Sequence, residues 1–109
     1  MDFRLTMNET DLIQRIKAFA KLIIHLCRSL PNNREGRLIG DQLFRSGTSV
    51  AANYRAACRG RSKAEFISKL SIVVEEADET QFWLELIKDM IISDNSSVDK
   101  LIKEADELV

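Results

Sequence analysis

The sequence predicts an all-α fold, an antiparallel up-down-up-down bundle of four helices forming one domain over residues 1–109. Three observations carry that prediction. One Pro and four Gly are too few punctuators for the many tight turns of a sandwich or barrel. Apolar residues recur at steps of three and four, the spacing of a helix face. Helix start and stop signals divide the chain into four segments joined by short turns. A composition of 45% hydrophobic and 30% charged residues is that of a folded domain and excludes a disordered chain.

The first helix is expected over about 10–30, where Leu12, Ile13, Ile16, Phe19, Ala20, Ile23, Cys27 and Leu30 share a face. Pro31 stops it, and Asn32 and Asn33 make the turn. The second helix spans 34–59 and ends at Gly60, read as a C′ glycine. Its Gly36, Gly40, Gly47, Ala51 and Cys58 lie along one line, where small side chains let another helix approach closely. Ser62 and Glu65 have the capping-box spacing, in which each side chain satisfies a backbone N–H of the other, and so start the third helix over 62–92. Its expected core stripe is Phe66, Leu70, Val73, Val74, Ala77, Leu84 and Ile91. Ser93, Asp94 and Asn95 break the pattern, and Ser96 caps a fourth helix over 96–109 with Val98, Leu101, Ile102, Ala105 and Leu108 on one face. That helix is about 20 Å long against about 45 Å for the third. Its pattern is still running at Val109. Either the bundle is open at one end, or something else covers the exposed part of the long helices.

Cys27 and Cys58 fall on apolar helical stretches and read as small buried thiols, with no spacing suited to a zinc site, a redox pair or a disulfide scaffold. The opening residues hold no apolar run suited to a signal peptide, and no run approaches the ~20 residues of a membrane span. The expected location is a reduced cytoplasm, with no membrane partner.

The net charge of −1 conceals a polarised chain: residues 1–74 sum to +7 and residues 75–109 to −8. At about 100° per residue, Arg34, Arg37, Arg45, Arg55 and Arg59 fall in a stripe about 80° wide, interrupted only by Asp41. Arg61 and Lys63 extend it. Guanidinium forks pair with phosphate oxygens and release counterions, so the stripe suits an RNA or DNA backbone. No aromatic residues interleave with it to stack bases, so binding of that kind would be weakly sequence-specific. The competing reading is a solvated face whose arginines pair with the acidic half of the same or a neighbouring subunit.

Ile72, Phe82, Trp83, Leu86 and Met90 form a second apolar face on the third helix, away from its core stripe. One helix in a small bundle cannot bury both, so these residues are the expected contact between subunits, with a protein partner as the other candidate. No catalytic, metal or cofactor site is expected. His25 lies on the polar side of the first helix, the Glu-x-x-His pairs of a di-iron bundle are absent, and Glu75, Glu76, Asp78 and Glu79 point in several directions.

The block from Arg45 to Leu70, Arg-Ser-Gly-Thr-Ser-Val-Ala-Ala-Asn-Tyr-Arg-Ala-Ala-Cys-Arg-Gly-Arg-Ser-Lys-Ala-Glu-Phe-Ile-Ser-Lys-Leu, followed by Glu-Glu-Ala-Asp-Glu-Thr-Gln-Phe-Trp-Leu-Glu-Leu from Glu75 to Leu86, closely resembles the bacterial four-helix-bundle family named after ribosomal-RNA intervening sequences. That family in turn resembles the accessory protein of diversity-generating retroelements, a basic pentameric barrel that contacts reverse transcriptase and nucleic acid. The resemblance implies a homopentamer of four-helix bundles with no known catalytic activity. The last helix here is shorter than the family's, and the net charge is near neutral where the retroelement proteins are strongly basic.

Overall fold

The computed structural model describes residues 9–91 and 96–109. They form four helices, α1 (Glu9–Ser29), α2 (Arg34–Cys58), α3 (Lys63–Met90) and α4 (Ser96–Leu108), with no strand among the described residues. The expected break at 93–95 lies outside the described residues, as does Ile92.

Local chemistry places the helix ends. Asn33 caps α2 by accepting the N–H of Gly36 on its side-chain oxygen at 2.8 Å, and Ser62 caps α3 by accepting that of Glu65 at 3.1 Å. Gly60 does follow the last turn of α2, but its φ is not positive, so it is not the left-handed cap that a C′ glycine usually supplies. It is needed for space instead. A Cβ there would sit 3.1 Å from the Ala57 carbonyl oxygen and 3.2 Å from the Phe66 nitrogen, where the first turn of α3 folds back. A Cβ on Gly36 would overlap the Pro31 carbonyl oxygen, so the turn between α1 and α2 also closes over a bare backbone.

The small-residue line on α2 packs against α1 as expected. A Cβ on Gly40 would meet Leu30, and one on Gly47 would come within 2.8 Å of Ile23. The α2–α3 pair has the most extensive contact, and α4 rests on α3 and α1. Ile16, Phe19 and Ile23 of α1 meet Leu43 and Val50 of α2, Val73, Leu84 and Ile87 of α3, and Val98, Leu101 and Leu108 of α4 in one buried cluster. Each large side chain so buried contributes roughly 1.5–3 kcal/mol.

Two core assignments on α3 change. Val74 is 50% exposed rather than buried. Ile67, Val74, Gln81 and Lys88 follow at intervals of seven and share a face. Gln81 donates to the Ile102 carbonyl at 3.2 Å and Lys88 pairs with Asp99 at 2.8 Å, so the later part of this face meets α4. At 13 residues α4 is too short to reach the earlier part, which leaves Ile67 and Val74 exposed. Conversely, Thr80 is fully buried, its Oγ1 lying 3.0 Å from Ser46 Oγ and 2.7 Å from the Glu76 carbonyl oxygen. Two buried hydroxyls that satisfy each other are costly to separate, so the pair pins α2 to α3 in one register.

Charged contacts tie α1 to α4. Arg15 donates to Glu104 at 2.7 and 2.9 Å and to Glu107 at 3.0 Å. The hydrogen bond from Arg15 holds the Glu104 carboxyl below the usual carboxylate value. Cys58 is buried and Cys27 half-buried, with the Cys27 thiol 3.5 Å from the Gly40 carbonyl oxygen and pushed up to about 11, chiefly by burial and then by Asp41. Such a thiol stays protonated at neutral pH and is a poor nucleophile. Among the described residues, no helix is long and apolar enough to cross a membrane.

Candidate nucleic-acid interface

The arginines of α2 lie along one side of the helix, but the stripe divides into three parts with different surroundings. At its centre Arg45 is engaged within the chain. One guanidinium nitrogen donates to Glu76 at 3.2 Å and the other donates to Glu79, both on α3. Near the start of α2, Arg34 and Arg37 flank a shallow hollow beside Leu38, and Arg37 donates to the Asn32 side chain at 3.2 Å. At the far end Arg55, Arg59, Arg61 and Lys63 crowd into nine residues around the α2–α3 turn. All four are exposed, and among the described residues none is paired with a carboxylate. The two outer groups stand roughly 37 Å apart along α2.

The end cluster is electropositive for a further reason. It lies beside the first turn of α3, whose unsatisfied N–H groups carry a partial positive charge. Ser62 occupies one of those donors, and Arg61 is held between the Gly60 turn and that cap.

The second apolar face is also more differentiated than its helix angles imply. Phe82 is 52% and Met90 77% exposed, whereas Ile72, Trp83 and Leu86 are half-buried. Trp83 packs its ring on the core and donates its indole N–H to Glu79 at 3.3 Å. The Phe82 ring meets it edge to face, with centroids 5.0 Å apart and planes at 69°. Arg45, Glu79, Trp83 and Phe82 therefore form a continuous chain of contacts.

The pairing of Arg45 with Glu76 and Glu79 is the competing expectation, an arginine engaged by the acidic half of the same subunit, realised at one position of the stripe. Sequence reasoning missed exposed Leu38 and Phe44 on α2. It also passed over a groove of about 200 Å³ between α1 and α2, where Ala20, Thr48, Ala51 and Ala52 lie between Lys17 and Arg55. His25 is exposed at the edge of a hollow of about 390 Å³ between α1 and α4. No group of three or more His, Cys, Asp or Glu residues is placed to hold a metal ion among the described residues.

Residues 8–109 match the profile of the 23S rRNA-intervening sequence protein family. The chain belongs to that family. Among solved structures it is similar to a protein with unknown function from the S23 ribosomal protein family of Bacteroides thetaiotaomicron, at 32% identity and a TM-score of 0.82, over 94% of this chain and 91% of that one. No curated protein matches. The likeness of the intervening-sequence protein to its Bacteroides counterpart extends across all four helices, and neither the family description nor the relative names an activity.

Proposed function

We propose that this intervening-sequence protein is a non-enzymatic, self-associating bundle that holds RNA or DNA by its phosphate backbone, through Arg55, Arg59, Arg61 and Lys63 with Arg34 and Arg37 as outer members. The observation that carries the reading is the cluster of four exposed cations, without a carboxylate partner among the described residues, at one end of α2. Arginine next to its own carboxylates has little to gain from phosphate, so Arg45, a candidate by its helix angle, supports the α2–α3 surface instead. The cluster contains no aromatic side chain to stack a base, which favours contact with the backbone over readout of sequence.

The bundle is a single antiparallel domain in this reading. From Ile23 to Leu30 along α1 the facing α2 residue falls from Gly47 to Gly40, and from Gln81 to Lys88 along α3 the α4 partner falls from Ile102 to Asp99. Ile72, Phe82, Trp83, Leu86 and Met90 mark the contact between copies, a homopentamer by the family resemblance, and repetition multiplies a weak single-site affinity. The buried Cys58 and half-buried Cys27 suit the reducing cytoplasm.

A scaffold for a protein partner, with no nucleic acid bound, is the second reading. It is favoured by Arg45, whose pairing with Glu76 and Glu79 takes the central arginine out of the stripe. Fluorescence-anisotropy titration of several labelled RNA and DNA duplexes of unrelated sequence separates the two. The nucleic-acid reading expects saturable binding to each duplex, with affinities agreeing within about threefold among those of one backbone type. Absence of binding at low salt leaves the scaffold.

A further inference from the structure

We infer that the groove between α1 and α2 of one copy receives the acidic outer ridge of α3 of the next, so that the copies associate head to tail. This rests on the self-association proposed above and supplies what that reading lacks, the surface on which Phe82 lands.

The receiving surface is a shallow channel. It is lined by Ile13, Ile16 and Ala20 on α1 with Thr48, Ala51 and Ala52 on α2, and its volume is about 200 Å³. Lys17 and Arg55 stand at its two edges, and Lys21 and Arg28 continue the positive edge along α1. All four are exposed, and none is in a salt bridge among the described residues. A largely apolar lining between cationic edges suits an apolar knob flanked by carboxylates.

The ridge has that form. Glu75, Asp78, Glu85 and Asp89 fall within about 80° of one another around α3, and Phe82 lies in their midst. These four carboxylates are exposed and outside any salt bridge among the described residues, unlike Glu76 and Glu79, which Arg45 engages. The half-exposed Phe82 ring meets the neighbouring Trp83 ring edge to face. A rigid aromatic side chain presented in that way loses little freedom when it is buried.

Electrostatics choose the partner face. Two ridges meeting across a two-fold axis would set four carboxylates against four more, and like charges facing one another cost several kcal/mol. A ridge laid in the groove pairs opposite charges throughout. Because ridge and groove lie on different helices, the contact is heterologous, the kind that closes into a ring when the rotation per copy allows. Arg55 then borders the subunit contact, while Arg59, Arg61 and Lys63 remain for phosphate.

Charge exchange tests the pairing. The groove variant carries Lys17→Glu and Lys21→Glu, the ridge variant Asp78→Lys and Glu85→Lys, all at exposed positions, with circular dichroism and thermal melting confirming that each stays folded. Light scattering of the full chain at several concentrations is expected to give a multi-chain mass for the wild type. Each variant alone should self-associate at least about tenfold more weakly, and a chain carrying all four substitutions, whose groove and ridge are again opposite in charge at every contact, should regain the mass. A wild-type oligomer that neither variant weakens, or a four-fold variant that stays dissociated while folded, overturns the pairing while leaving self-association in place. A wild type that is a single chain at every concentration overturns both.

Discussion

Replacing Arg59 and Arg61 together with glutamate is expected to lower affinity for an RNA or DNA duplex by about 100-fold near 0.15 M salt. Each phosphate contact contributes about 1 kcal/mol through counterion release at that ionic strength, so losing two accounts for roughly 30-fold, and two added carboxylates facing the backbone account for the rest. The fold should be unaffected, because both side chains are exposed and neither holds a partner among the described residues. Surface changes of that kind move stability by no more than about 0.5 kcal/mol. The matched control is Arg45→Ala, which removes an arginine of the same stripe whose charge Glu76 and Glu79 already offset. It should change affinity by less than about threefold. Anisotropy titration of the three proteins gives the comparison. Equal losses from Arg45 and from the turn cluster would mean that the ion pairs to α3 do not withhold the central arginine.

The second large effect is on assembly. Phe82→Glu should reduce the mass in light scattering to that of one chain at micromolar concentration. Burying a phenylalanine contributes roughly 1.5–3 kcal/mol at each contact it makes, and a glutamate there would forfeit that burial and have to shed its water on the apolar lining of the groove. Phe82 is the informative position because half of it is already in solvent, so the isolated bundle loses little when it changes. Trp83 is not equivalent. Its ring packs on the core and its N–H holds Glu79, so Trp83→Ser weakens the bundle itself as well as the contact. An unchanged mass for Phe82→Glu, with the chain still folded, would place the subunit contact elsewhere.

Much of the fold was legible because the signals were local. Ser62 is a cap recognisable from residue type and spacing, and Asn33, read as a turn residue, also caps; the two set the starts of α3 and α2. The glycine line on α2 likewise follows from angle alone, and it does receive α1. What could not be read from one helix at a time was anything set by the length of a neighbour. Val74 has the spacing of a core residue, and only the shortness of α4 exposes it. Thr80 has the chemistry of a surface residue, and it is buried because Ser46 on α2 completes its hydrogen bonding. The same applies to the stripe. Angles place Arg45 among the phosphate contacts, whereas its surroundings are decided across the helical hairpin closed at 59–62. Arg45 lies 14 residues before that turn and Glu76 14 residues after it, so a hairpin drawn from the sequence would already have set the two opposite one another. The near-zero net charge was least informative of all, since it sums a basic half and an acidic half whose positions decide what can bind.

On the proposed function, the exposed cations at the α2–α3 turn, and not the net charge of the chain, govern its partner. The most direct measurement is the affinity of the wild-type protein for one duplex across a salt series from about 50 to 300 mM. Engagement of three phosphates by Arg59, Arg61 and Lys63, or of four with Arg55, predicts a straight line of log affinity against log salt with a slope of about −2.7 to −3.6 per copy for duplex DNA. A slope near zero, or no binding at the lowest salt, would contradict it.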